Sequence, residues 1–261
     1  MALIQKTGGN QNNAVQYSLR KLPNGSRVFA VECAADAPGA VELVRSKDSP
    51  SGKFVSGDKF HVQTGDTLVG KLGGMWVKQG FGGGVSREVS ILLTSNDTEG
   101  AKVAEFLQLR LLDDKGRIDR ETASLLARLK NVKRDEDVSL SVFTFAHKAG
   151  DPIDKNRPEA GNWDKAGSTM ALAMYQESLK SEANPKGTVK AAADEYYRQP
   201  TFYISGTSVI HIKQGEKAPD NVVVNYDAQD AISFAEGIAA AVTPVAEQAE
   251  QNEQSAAAPA A

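Results

Sequence analysis

The sequence predicts an α+β chain, mainly β, built around a small five-stranded barrel, and three observations lead there. The first is a glycine-broken run over residues 67–95, reading TLVGKLGGMWVKQ, a Gly-rich turn and VSREVSILLTS. The second is a change of period after Asp119, where apolar residues pass from alternation to helical spacing. The third is the return of alternation over residues 137–147. The order is strand, strand, strand, helix, strand, in which a helix after the third strand plugs the open end of a small barrel.

Taken in chain order, residues 1–16 are rich in Gly, Asn and Gln and read as a flexible arm. Residues 27–32 and 39–45 read as short strands around a turn at 34–38, and residues 54–63 as another. In the run 67–95, Gly70, Gly73 and Gly74 interrupt the first strand and Gly82, Gly83 and Gly84 make the turn. Interior glycine weakens a strand, so its repetition marks a bulge, a barrel corner or a close backbone approach. Residues 101–112 form the third strand, with Val103, Leu107, Leu109 and Leu111 on one side and Phe106, Gln108 and Arg110 opposite; Glu105 breaks the alternation.

Asp119 is the N-cap of a helix carrying Leu125, Leu126, Leu129 and Val132, which the charge cluster 133–137 ends. Over 137–147, Val138, Leu140 and Val142 face one way, and Ser139, Ser141, Phe143, Phe145 and His147 the other. Residues 149–168 read as a long excursion containing Trp163. Residues 169–181 read as a helix with a Met170, Met174 and Leu179 stripe, and residues 188–199 as an alanine-rich helix. Residues 201–213 alternate as a final strand, and an Asp-capped helix follows over 227–242. From Thr243 onward the low-complexity composition predicts disorder. One elaborated domain over 17–242 results, its core at about 65–147.

Composition excludes several classes. The chain has 261 residues, enough to bury a core. No stretch approaches the ~20 apolar residues of a membrane span, and the opening MALIQKTGGN has no apolar centre such as a secretory signal needs. A lone cysteine, Cys33, excludes an internal disulfide framework and fits a reducing cytoplasm. The net charge of −3 is unevenly spread. Residues 1–150 hold 21 Lys and Arg against 17 Asp and Glu, and residues 151–261 hold 9 against 16. A basic front with an acidic rear suggests a body that binds a polyanion.

No catalytic set is legible. His61, His147 and His211 stand at no metal-ligand spacing, and Asp113-Asp114 lies in a Lys-Gly turn that reads as solvated. The 81–84 loop lacks the Gly-Lys-Ser/Thr of a phosphate loop, and a strand follows it. The expectation is a non-enzymatic protein with no cofactor and no metal.

Binding of unpaired nucleic acid needs cations for the backbone and aromatic faces on which bases stack. Phe143 and Phe145 share the wet side of their strand with Ser139 and Ser141, where they either stack on bases or anchor the C-terminal elements. Trp76 stands beside Lys78, although the side it shares with Leu68 and Leu72 favours burial. Phe81 caps the glycine turn. Lys71, Arg87, Arg110 and Lys148 lie near these in the predicted layout. Tyr203, His211 and Lys213 make a second surface, more in keeping with a solvated strand face.

The phrases GDTLVGKLGGMWVKQGFGGGVSREVSILLTS, AKVAEFLQLRLL, Leu129-Lys130-Asn131-Val132 and DVSLSVFTF resemble bacteriophage single-stranded DNA-binding proteins of the oligonucleotide-binding fold. The resemblance covers residues 65–147. It implies sequence-tolerant binding of single-stranded DNA in phage replication and recombination, in the bacterial host cytoplasm. It places the family's strand-face aromatics and cations on Trp76, Lys78, Arg87, Arg110, Phe143 and Phe145. The chain departs from the family at its end: after Thr243 only Glu247, Glu250 and Glu253 are acidic, and the terminus reads Ala-Pro-Ala-Ala. Two other readings stand beside this one: a viral structural or assembly protein, and a transcription regulator that meets the host machinery through its acidic rear.

Overall fold

The computed structural model describes residues 14–21, 27–42, 60–80, 83–96, 100–153, 161–205, 208–210 and 223–243. The strands are β1 (Ala14–Lys21), β2 (Arg27–Cys33), β3 (Ala40–Glu42), β4 (Phe60–Gly65), β5 (Thr67–Gln79), β6 (Arg87–Asn96), β7 (Lys102–Leu112), β8 (Asp137–His147) and β9 (Gly167–Tyr175). They form one sheet in the order β3-β4-β2-β1-β7-β6-β5-β8-β9. Its pairs are antiparallel except β1 with β7, which run parallel. A second sheet holds β10 (Thr201–Ser205), β11 (Ser208–Ile210) and β12 (Val223–Tyr226), with β10 in the middle. The helices are α1 (Arg120–Leu129) and α2 (Ala228–Val242). The fold is mainly β, of the α+β class.

The large sheet curls. β2 contacts β8 although four strands lie between them in the sheet order. Alternation explains what fills the curl: Leu68 and Leu72, Ile91 and Leu93, Leu107 and Leu109, Val138 and Leu140, and Leu172 and Met174 all turn to one side. There they meet Leu125, Leu126 and Leu129 of α1 and Ile232, Ala235 and Ile238 of α2. Both helices start where the sequence puts a capping aspartate: Asp119 accepts from the Thr122 N–H, and Asp227 from the Asp230 N–H, each at 2.9 Å.

Glu105, the break in the β7 alternation, does turn inward. Its carboxylate accepts the Tyr17 hydroxyl at 2.8 Å across the parallel β1–β7 pair, so the half-buried acid has a partner. Burial, and then that carboxylate, push the Tyr17 phenol well above its ordinary pKa.

Several expectations fail. The sheet has nine strands where a five-stranded barrel was expected. The predicted helix at 169–181 is strand β9 followed by a single 3-10 turn, Glu177–Leu179. Met170 and Met174 satisfy a helical and a two-residue period equally, and Leu172, buried between them, marks the strand. The alanine-rich helix at 188–199 is extended chain with one 3-10 turn, Ala193–Glu195; Asn131 ties it down by donating to Lys190 O and to the Glu195 carboxylate. The strand over 201–213 is two antiparallel strands, β10 and β11, with residues 206–207 and those past 210 outside the described ones, and β12 pairs on the other side of β10. Strand β1 begins within the predicted arm, because β7 offers it an open edge. Thr243 is buried and hydrogen-bonded at the end of α2, whereas disorder was expected from it onward.

Candidate nucleic-acid interface

The face of the large sheet turned away from both helices carries Trp76, Phe143 and Phe145. On β5 it first holds Thr67, Val69 and Lys71, opposite Ser141, Ser139 and Asp137 of β8. A bulge between Leu72 and Gly74 inserts one residue and changes the phase of the strand. Met75 and Val77 therefore point into the core, opposite Ile91 and Val89, and Trp76 and Lys78 point outward, opposite Ser90 and Glu88. Trp76 thus leaves the side of Leu68 and Leu72, against expectation, and comes to rest half-buried with its ring 6.3 Å from that of Phe106 on β7.

β8 outruns the sheet. Its pairing with β5 ends at Ser141, one further bond runs from the Val142 N–H to Asp66 O at 2.8 Å, and from Phe143 onward it pairs with β9 alone. Phe143, Thr144, Phe145 and Ala146 are all exposed, so this stretch is a two-stranded ribbon open on both faces. Phe143 and Phe145, 44% and 38% exposed, stand side by side on one face with ring centroids 6.4 Å apart. His147 continues their row and stacks on Trp163 at 4.0 Å and 16°. The stack has a local cause: Gly150 N–H donates to Trp163 O and Trp163 N–H to Asp151 O, which folds the ribbon tip back under the imidazole. His147 and Trp163 were not among the predicted site residues; the only trace in the sequence was the continuation of the Phe143, Phe145 alternation to His147.

At the other end of β8, Asp137, Ser139, Tyr175, Gln176, Glu177, Lys180 and Lys186 line an open cavity of about 300 Å³. Lys180 is paired with Glu177 at 2.6 Å, and Gln176 is held by the backbone of Lys133 through both its amide groups. Between cavity and ribbon the Thr67 and Ser141 hydroxyls bond at 2.9 Å. One outer strand face therefore grades from exposed rings, through hydroxyls, to a lysine-bordered hollow.

The remaining predicted cations divide. Lys71 and Lys148 are exposed, with no ion-pair partner among the described residues. Lys78 faces Glu88 across the strands, and Arg110 lies beyond Glu88 with its guanidinium 3.9 Å from Asp119. Arg87 braces its own hairpin, donating from Nη1 to Gly84 O and Ser86 O at 2.9 Å each. Phe81, His211 and Lys213 lie outside the described residues, as does the side chain of Tyr203. Among the described residues no three His, Cys, Asp or Glu gather as a metal site, and no helix is long and apolar enough to cross a membrane.

No family model, no curated protein and no solved structure matches this chain.

Proposed function

We propose that this chain is a non-enzymatic, sequence-tolerant single-stranded DNA-binding protein serving phage replication and recombination, and that it holds its ligand along the outer face of β8. The observation that carries this reading is the pair Phe143 and Phe145. A large apolar ring on a solvent-open ribbon forfeits burial, and two adjacent ones with a stacked His147–Trp163 unit in line make a platform for consecutive bases. Each base stacked on such a ring contributes roughly 1–3 kcal/mol whatever its identity, which is the basis of sequence tolerance. Lys148 at the ribbon end and Lys71 beside the hydroxyl patch supply positive charge for the phosphates.

The pairing order supports the same reading. Strands β7-β6-β5-β8-β9, with α1 between β7 and β8, follow the connectivity of an oligonucleotide-binding barrel. We read the domain as such a barrel left open, with β1 on the edge of β7 where a closing strand would pair. The ribbon is then the connection between the fourth and fifth barrel strands, one of the loops with which that fold binds its ligand.

The test is fluorescence anisotropy with labelled oligo(dT), single-stranded RNA and duplex DNA at 50 and 200 mM salt. Tight, salt-sensitive binding of oligo(dT) with weak binding of duplex is expected. Absence of oligo(dT) binding at the lower salt overturns the reading.

A further inference from the structure

We propose that Trp76 and Phe106 form a second base-binding station, a clip that receives one unpaired base between its rings, above the Ser90 hydroxyl. The proposal rests on the single-strand reading above and deepens it by giving the bound strand a length.

Three observations meet at this point of the outer face. The rings of Trp76 and Phe106 have their centroids 6.3 Å apart and are tilted by 43°. A base held between two parallel rings needs about 7 Å, twice the ~3.4 Å stacking rise of nucleic acid. At 6.3 Å and 43° the two rings are in ordinary aromatic contact, so a base enters when they part and turn toward parallel. Gly74 lets the indole lie this close to the strand: a Cβ there would come within 3.2 Å of both the ring's far edge and the Thr243 side chain.

The second observation lies beneath the rings. Ser90 sits opposite Trp76 on β6 and opposite Gln108 on β7, is fully buried, and its hydroxyl has no hydrogen-bond partner. The indole N–H of Trp76 also has none. Buried polar atoms in folded proteins are almost always paired, so two orphans on cross-strand neighbours at the ring pair mark a place where a partner arrives. A hydroxyl both donates and accepts, which lets it meet the edge of any base and preserves sequence tolerance.

The third is position. From Thr67, the last β5 residue level with β8 before the ribbon, to Trp76 the chain covers ~30 Å at ~3.3 Å per residue. Phe143 lies beyond Thr67 on the opposite side, with Lys71 between the two stations. A strand joining ribbon and clip is about nine nucleotides long at the ~3.4 Å stacked rise, and shorter when stretched. The ligand class that uses the whole face is unpaired DNA of about a dozen nucleotides, and a tetranucleotide reaches one station only.

The experiment uses the full chain carrying Trp163→Phe, which leaves Trp76 as its sole tryptophan. Labelled dT12 and dT4 are titrated while DNA anisotropy and protein emission are followed together. With dT12, Trp76 emission is quenched in step with the anisotropy, and Phe106→Ala in the same background weakens binding about ten-fold. Ser90→Ala removes a hydroxyl that supports nothing in the free protein, so the fold survives and dT12 binding weakens about five-fold. The loss on Phe106→Ala is smaller for dT4. Binding of dT12 with Trp76 emission unchanged, or with both variants equal to their parent, overturns the clip and leaves the single-strand reading standing. Failure of the unsubstituted chain to bind dT12 removes both.

Discussion

The hydroxyl of Thr243 closes both backbone groups of Met75, accepting from its N–H at 3.0 Å and donating to its carbonyl at 2.9 Å. β8 pairs with β5 only as far as Lys71, so past the bulge the β5 edge would be left open. The end of α2 covers it, and Arg134 donates to Gly73 O two residues earlier. A side chain from the last described residue of the chain thereby fixes the strand that aims Trp76.

Thr243→Val should cost about 1–3 kcal/mol, because it leaves the buried Met75 N–H and C=O unpaired. Thr243→Ser keeps both bonds and should lose well under half as much. Urea unfolding of the two variants decides; equal midpoints for Val and wild type would sink the argument.

Two glycines should answer alanine with opposite signs. At Gly70 a Cβ would lie 2.9 Å from the Thr94 carbonyl oxygen and 3.3 Å from Leu93 Cβ, inside the β5–β6 pair. Gly70→Ala should destabilise by roughly 1–3 kcal/mol through overpacking. Gly237 lies on the exposed side of α2 with nothing within 4 Å, so Gly237→Ala should stabilise by about 0.5–1 kcal/mol. Thermal melts of the pair check both signs.

Phe143→Ala and Phe145→Ala should leave stability within about 0.5 kcal/mol, since both rings are exposed. Their affinity for oligo(dT) should fall by about five-fold or more, as the loss of a stacked base requires. Paired melting and anisotropy measurements separate the two effects; a large stability loss with unchanged binding would make the rings structural.

Glu121, in the first turn of α1, has its carboxyl pushed above the ordinary glutamate range, mainly by burial and next by Asp119, with Arg128 acting against both. The folded state therefore holds this proton more tightly than the unfolded chain. Its contribution is most favourable below the unfolded pKa of about 4.3 and is lost as pH rises through the raised folded value. Glu121→Gln should gain stability relative to wild type at pH 7, and the difference should vanish by about pH 4. A difference that grows on acidification would contradict the sign.

Much of residues 65–147 was legible because its signals are local. The Asp119 cap, the leucines of α1, the alternation of β8 and the paired phenylalanines on its wet side each depend on a few adjacent residues. The failures share a different cause. The segment around Met170 satisfied two periods at once, and only its place beside β8 selected the strand. The alanines near 190 carry helix propensity but no stripe to bury, so the bonds from Asn131 set the path.

By itself, the sequence determined which residues are apolar, where both long helices begin, and that the β8 aromatics lie opposite its aliphatic side. Tertiary structure alone decided that the bulge at Gly73 turns Trp76 outward toward Phe106, that Glu105 meets Tyr17, and that Thr243 clasps Met75. The reason is physical: side-chain direction along a strand follows from its own alternation, whereas a one-residue bulge reverses that alternation and takes effect only when a neighbouring strand fixes the register.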